Sequence, residues 1–276
     1  MPQTSARQIN IMSNTTSPNA LPSYSKPPVN EVVCGMIFQI PENLRIPHIG
    51  LLWNKLRAEY PIIQHAVPIA SSKGELLIDI TTGLPIQRVW FISKTEDQLV
   101  QFQFDRFYFN WRRKQGEYPR YPFVIQHFEN VLKIAEDFFT EFELGKLIPV
   151  EYELSYINQI LQGEGWNTAC DFSKIFSHFI WNPSSDHFLS DPESMAWKVK
   201  FPIKDDMGSM LVSLRQTTRA DDKKPVLVME LKAKGISKSA ENNDMRKWFD
   251  VAHEWIVRGF TDLTTHEAHK IWGREV

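Results

Sequence analysis

The stretch LVQFQFDRFYFNWRR spans residues 99–113 and alternates apolar and polar side chains, which is typical of a β-strand with one buried face. Its Phe and Trp side chains occupy even positions up to Phe104 and odd positions from Phe107 onward. A pattern of period two cannot change phase without a β-bulge or a tight turn. We therefore predict a bulge or a tight turn at Asp105 and Arg106.

The N-terminal half of the chain surrounds this stretch with further strands and helices. Apolar residues at helical spacing predict a long helix from Val124 to Phe142, which Gly145 ends. Strands are also predicted at residues 29–40, 76–80, 87–93 and 149–160, and a helix at residues 46–60. The order β-α-β-β-α-β is that of a ferredoxin-like fold. We expect the first and last strands to lie side by side in one antiparallel sheet, with both helices on one face.

The C-terminal half begins after the Gly-Glu-Gly stretch at residues 163–165, which is the best boundary in the sequence. A short helix at residues 171–179 precedes three alternating strands. The turns at residues 205–208 and 221–224 join these strands into an antiparallel meander. A long helix follows at about residues 243–260, and a final helix at residues 265–272.

The predicted fold class is therefore α+β. A ferredoxin-like unit at residues 26–162 precedes an antiparallel sheet packed against a long C-terminal helix at residues 163–276. Residues 1–25 are rich in Ser, Thr, Asn and Pro, which predicts a disordered tail.

The composition excludes several classes of protein. The 276 residues are 42% hydrophobic and 23% charged, which excludes a disordered chain, a collagen and a coiled coil. A formal net charge of -2 excludes an overall basic nucleic-acid packing protein, although not a local basic patch. The two cysteines, Cys34 and Cys170, cannot form a disulfide framework. With no apolar signal segment and no apolar run long enough to span a bilayer, we expect a cytoplasmic protein.

Several sequence patches resemble a sporadically distributed, functionally uncharacterised bacterial family of similar length. They are KPPVNEVV at residues 26–33, RVWFIS at 88–93, FDRF at 104–107, NWR at 110–112, YPRY at 118–121, YIN at 156–158 and HEW at 253–255, with Phe260 and Trp272. Patchy occurrence is typical of mobile and defence-associated genes. The resemblance therefore implies a bacterial host-defence or toxin–antitoxin context, and a protein partner encoded by a neighbouring gene.

A basic and aromatic loop follows the strand at residues 99–113. It contains Arg112, Arg113, Tyr118, Arg120 and Tyr121. Surfaces rich in Arg and Tyr bind phosphates, stack on bases and form hot spots of protein interfaces. These five residues are the predicted binding residues, and the alternative is a plain charged loop.

Glu230 and Lys232 are the weaker candidates for catalysis. Restriction-type nucleases use a Glu-x-Lys pair with an upstream acid to hold Mg²⁺ and to stabilise developing charge, and Asp206 or Asp205 could be that acid. The simpler interpretation is the solvated face of a meander strand, because Glu230 and Lys232 lie on the side opposite Leu231.

Three C-terminal histidines, His253, His266 and His269, are weak candidates for metal ligands. His266 and His269 are spaced i, i+3, whereas the metalloprotease motif needs i, i+4. A capping box with Thr264 as N-cap and Glu267 explains this segment without a metal. Motifs for nucleophilic catalysis and for phosphate-binding loops are missing from the sequence.

These observations favour a non-enzymatic binding or regulatory module that docks a partner protein or a nucleotide-like ligand, without a cofactor. The alternative is a metal-dependent nuclease or hydrolase that uses Glu230 and Lys232 or the C-terminal histidines. A third interpretation is a ligand cavity beneath the long C-terminal helix. Local contact with nucleic acid and a homodimer built on exposed aromatic side chains stay open.

Overall fold

The computed structural model describes residues 20–70, 74–79, 82–178, 188–236 and 245–275. The strands in these ranges are β1 Val29–Phe38, β2 Ile62–Ala66, β3 Arg88–Ile92, β4 Gln98–Gln103, β5 Arg106–Arg112, β6 Pro149–Leu161, β7 Ala196–Ile203, β8 Gly208–Thr218 and β9 Pro225–Gly235. The helices are α1 Pro47–Leu56, α2 Tyr121–Glu141, α3 Phe172–Ile175, α4 Met245–Leu263 and α5 His266–Ile271.

The nine strands form one antiparallel sheet in the order β2-β3-β4-β5-β1-β6-β9-β8-β7. The α+β class is confirmed, and so is the predicted pairing of the first and last strands of the N-terminal half, β1 with β6. The ferredoxin-like topology is not confirmed, and the predicted sheet order is wrong. Strands β2 and β3 extend the sheet beyond β4, and β6 pairs with β9 over ten residue pairs. Both predicted halves therefore share a single sheet.

The phase change in residues 99–113 corresponds to a tight hairpin. Gln103, the last residue of β4, pairs with Arg106, the first residue of β5, so only Phe104 and Asp105 form the turn. The turn predicted from the alternation is thus confirmed to within one residue. The turn also keeps the apolar side chains of both strands on one face, because Phe102 pairs directly with Phe107.

Helices α2 and α4 cover this apolar face of the sheet. Phe128 of α2 and Phe249 of α4 contact each other with ring centroids 5.3 Å apart, and Tyr152 of β6 contacts Phe249 at 5.7 Å. Both helices carry the predicted apolar stripe, and most of its members are buried in one continuous core. The exceptions are Phe142, which follows α2 and is exposed, and Met245, which is only partly buried. Such burial of large apolar side chains is the main favourable contribution to folding.

The opposite face of the sheet, which we call the open face, carries polar side chains that are nevertheless buried. Six of them are at most 7% exposed: Gln101, Gln103, Arg106, Asn110, Glu153 and Ser155. Polar groups are seldom buried in a sheet unless they are hydrogen-bonded or serve a site. This face therefore contains the candidate functional site.

Some local predictions need correction. Strand β2 was not predicted; it is a short edge strand with mostly exposed side chains, so it lacks an alternating pattern. In place of the strand predicted at residues 76–80, the described residues contain only an isolated bridge between Ile78 and Pro85. The N-cap of α5 is Thr265, whose side chain accepts a hydrogen bond from the backbone N–H of Ala268, and not Thr264.

The predicted tail of residues 1–25 lies largely outside the described residues, but its last part is packed. Tyr24 is 4% exposed and forms a β-bridge with Arg274. Among the helices of the described ranges, none has both the length and the apolar character that crossing a bilayer requires.

Candidate functional site

A groove of about 310 Å³ crosses the open face of the sheet. Apart from Ile69, its lining residues all belong to strands β1, β3, β4, β5, β6 and β9, which are neighbours in the sheet. We call it the open-face groove. Because its walls are strand residues held by ladder hydrogen bonds, their relative positions are set by strand register rather than by loop conformation.

A chain of hydrogen bonds crosses the groove from β3 to β1. The side chains of Arg88 and Trp90 both donate to Gln101 Oε1 at 3.0 Å. Gln101 donates to Asn110 Oδ1 at 2.6 Å, and Asn110 donates to Glu31 Oε1 at 2.6 Å. Burial raises the pKa of Glu31 above its usual range, although the hydrogen bond from Asn110 opposes this effect. The chain orients both amides and ends on a partly desolvated carboxyl group.

A cluster of ion pairs occupies the β6 and β9 side of the groove. Lys232 Nζ lies 3.2 Å from Glu153 Oε1 and 3.0 Å from Glu230 Oε1. Lys234 Nζ lies 2.9 Å from Glu153 Oε2. Burial alone would raise the pKa of Glu153, but the two ammonium groups outweigh it and lower that pKa. Glu153 is therefore a buried carboxylate held in its charged form.

Three buried polar atoms in the groove have no hydrogen-bond partner among the described residues. They are Arg88 Nε, Arg112 Nε and Ser155 Oγ. A buried donor without a partner costs about 1–3 kcal/mol, so natural proteins keep few of them. All three can donate hydrogen bonds. Each has almost no solvent-accessible surface of its own, so the acceptor oxygens of a ligand reach them only when neighbouring side chains shift.

Tyr108 lines the groove and faces Gly35 across β5 and β1. The Tyr108 ring lies over Gly35, where a side chain would collide with it. Burial raises the pKa of Tyr108 well above its usual range, so the phenol stays neutral.

The five predicted binding residues are divided between the two faces of the sheet. Arg112 lines the open-face groove, where it pairs across strands with Glu31. Arg113 donates to the carbonyl oxygen of Pro27 at 3.1 Å. The other three, Tyr118, Arg120 and Tyr121, line a separate cavity on the helix side.

Neither tyrosine of this loop presents an exposed ring. Tyr121 is 7% exposed, and its hydroxyl donates to Asp250 at 2.8 Å. Tyr118 is half-buried, and its hydroxyl lies 2.8 Å from that of Tyr156. A binding role for Arg113, Tyr118, Arg120 or Tyr121 stays a prediction.

Glu230 and Lys232 lie together in the groove, but Asp206 does not join them. Glu230 pairs with Ser213 in β8, whereas Asp206 lies in the turn before Gly208, the first residue of that strand. Five residues of strand separate Gly208 from Ser213, which puts Asp206 roughly 15 Å or more from Glu230. The acid nearest to Lys232 apart from Glu230 is Glu153.

His253 lines one cavity, whereas His266 and His269 lie together at another. His253 stacks on Tyr121 with ring centroids 4.0 Å apart, while His269 Nε2 lies 2.8 Å from Thr264 Oγ1. His266 and His269 contact each other edge to face at 5.7 Å. Within the described ranges, no group of three or more His, Cys, Asp or Glu side chains has the geometry of a metal site.

Sequence reasoning missed most of the groove. Glu31, Arg88, Gln101, Asn110 and Ser155 each occupy a polar position of an alternating strand, which is also the pattern of a solvated sheet face. The register from β3 through β4, β5 and β1 to β6 would have revealed them, because it brings the polar positions of distant segments side by side. Comparison of the chain with protein-family models, with curated proteins and with solved structures found no match.

Proposed function

We propose that this chain is a binding module that holds a nucleotide-like ligand in the open-face groove. The observation that carries the proposal is that Arg88, Arg112 and Ser155, each with a buried polar atom that has no partner among the described residues, all line one groove. Leaving three donors unsatisfied destabilises the free protein, and a ligand that accepts their hydrogen bonds removes that cost.

The two arginines favour an anionic group on the ligand. Each guanidinium donates one hydrogen bond to the protein, Arg88 to Gln101 and Arg112 to the carbonyl oxygen of Glu96 at 2.8 Å. The Arg88 guanidinium also lies over the Trp90 ring. These contacts orient the guanidinium groups and leave each Nε–H without a protein acceptor. Arginine binds phosphate and carboxylate through such oriented N–H groups.

The remainder of the groove suits a ring with polar edges. Trp90, Leu99 and Ile157 supply apolar surface. Gln101 and Asn110 are held by the hydrogen-bond chain, and each amide nitrogen uses one N–H in that chain. The second N–H of each amide can donate a hydrogen bond to an acceptor atom of a base or a sugar. A phosphate with an attached planar ring therefore matches the groove better than a bare anion.

The alternative of a metal-dependent nuclease gains no support from this geometry. Glu230 and Lys232 are engaged in an ion-pair cluster with Glu153 rather than with an upstream aspartate. The defence-associated context and a protein partner from a neighbouring gene are further proposals that rest on the family resemblance alone.

A thermal-shift screen tests the proposal. The probes are AMP, GMP, CMP and UMP, each beside its phosphate-free nucleoside. We expect at least one nucleotide to raise the melting temperature by several degrees and its nucleoside to raise it less. Arg88→Met and Arg112→Met should abolish the shift, whereas Arg57→Met, an exposed residue at the end of α1, should not. No shift with any of the four nucleotides would overturn the proposal.

A further inference from the structure

A second cavity lies on the helix side of the sheet, at the junction of β1, β6, α2 and α4. Its volume is about 220 Å³, and its lining is mostly apolar. Val29, Leu231, Ile256 and Phe260 form much of its wall, together with the rings of several tyrosines. We call it the tyrosine cavity.

The tyrosine hydroxyls at this cavity already have partners. Tyr118 and Tyr156 bond to each other at 2.8 Å, and Tyr121 donates to Asp250. The hydroxyl of Tyr24 bonds to Thr261 at 2.9 Å. These tyrosines therefore contribute ring surface to the cavity rather than free polar groups.

His253 is different, because neither of its ring nitrogens has a hydrogen-bond partner among the described residues. Its ring is held parallel to that of Tyr121, with an angle of 8° between the planes. Burial disfavours the imidazolium and lowers the pKa of His253 to about 4, although Asp250 and Glu254 oppose this effect. At neutral pH the ring is thus an uncharged imidazole with one donor and one acceptor nitrogen.

The cavity is closed on one side by the chain before β1. Leu21, Pro22 and Tyr24 line it, and the carbonyl oxygen of Tyr24 accepts a hydrogen bond from Arg120 at 3.0 Å. Backbone hydrogen bonds to Gly273 and Glu275 also hold this segment in place. This segment therefore forms a fixed wall of the cavity.

We propose that the tyrosine cavity is a second ligand site, for a small monocyclic aromatic molecule that carries one hydroxyl group bonded to His253. An apolar cavity of about 150 Å³ already accommodates a benzene ring, so a volume of about 220 Å³ has room for a ring with one or two substituents. A hydroxyl group can donate to one imidazole nitrogen or accept from the other.

Two ligands of nearly equal shape test the proposal by isothermal titration: p-cresol, and toluene, which lacks the hydroxyl. We expect p-cresol to bind wild-type protein about tenfold more tightly than toluene, because one additional hydrogen bond typically increases affinity by about that factor. His253→Phe keeps a ring for stacking on Tyr121 and should reduce the difference to less than about twofold. If this variant does not fold, His253→Leu replaces it, because leucine also lacks the ring nitrogens.

Arg57→Met serves as the control, because Arg57 is exposed at the end of α1 and does not line the cavity, so this change should leave p-cresol affinity unchanged. Failure of both ligands to bind wild-type protein, or their equal affinity for it, would overturn the proposal. A p-cresol preference that survives in His253→Phe would overturn it as well. None of these outcomes bears on the open-face groove, whose test uses nucleotides.

Discussion

The ring of Tyr108 lies directly over Gly35, so closely that a Cβ atom at residue 35 would come within 1.6 Å of the ring atom Cδ1. The two residues are a cross-strand pair of β1 and β5, and the ring occupies the space where other residues would have a side chain. The Tyr108 ring also lines the open-face groove, and its position explains a glycine in the middle of a central strand.

Gly35→Ala should therefore destabilise the protein by about 1–3 kcal/mol, because the Tyr108 ring must leave its position. The measurement is urea unfolding. Gly50→Ala is the matched control: Gly50 lies in helix α1 with no atom within 4 Å of a new Cβ, so this change should stabilise by up to about 1 kcal/mol. Equal stability of Gly35→Ala and wild type would contradict the packing described here.

Ser155→Ala should weaken nucleotide binding without lowering the stability of the free protein. The buried Ser155 hydroxyl has no partner among the described residues, so its removal should leave the free protein equally stable or more stable by up to about 1 kcal/mol. Nucleotide affinity should fall, because the ligand loses one hydrogen bond. Unfolding and titration measured on the same preparation check both effects. A clear loss of stability would show that the hydroxyl has a structural role instead.

Lys232→Met should lower the free energy of unfolding by about 1–3 kcal/mol, because Glu153 and Glu230 would lose a shared counter-ion. The pKa of Glu153 should then rise, since Lys232 is one of the two groups that lower it. The loss of stability relative to wild type should consequently be largest at neutral pH and become smaller as the pH falls, because protonation of Glu153 removes the poorly paired buried charge. Urea unfolding of both proteins at neutral and at acid pH measures this difference. Lys200→Met, an exposed position on the edge strand β7, is the control and should change stability by less than about 0.5 kcal/mol.

His253 should make the protein less stable in mild acid. The pKa of this residue is lowered to about 4 in the folded protein, from an ordinary 6.5. Between these values the unfolded chain binds a proton that the folded chain does not, so stability falls as the pH drops below about 6.5. Urea unfolding at about pH 7 and pH 5 should show a smaller loss for His253→Phe than for wild type. His65→Gln, an exposed position in β2, should behave like wild type.

The alternating and helical patterns were sufficient to predict most strands, the long helices and the hairpin between β4 and β5. The sheet order was not predictable in the same way. Nothing local in residues 149–160 indicates that β6 pairs with β1 on one side and with β9 on the other. The two predicted units form one sheet because strands that are far apart in the sequence pair with each other, and a local sequence pattern does not show such pairing.

The candidate site was predicted only in part, for the same reason. Arg112, Glu230 and Lys232 were singled out for unrelated roles, yet they line one groove. Tyr118 and Tyr121 were expected in an exposed loop, but their rings turn toward the helix side of the sheet, where His253 and Tyr156 contact them. A loop rich in Arg and Tyr has the same sequence whether its rings point outward or pack inward.

The central claim is that the open-face groove binds an anion through its unpartnered arginine donors. The most direct measurement is isothermal titration of wild type and Arg112→Met with AMP and with adenosine, or with whichever nucleotide and nucleoside pair gives the largest thermal shift. We predict that the nucleotide binds wild type at least about tenfold more tightly than the nucleoside, and that Arg112→Met removes most of this difference. Equal affinity of wild type for the two ligands, or a phosphate preference that Arg112→Met leaves intact, would contradict the claim.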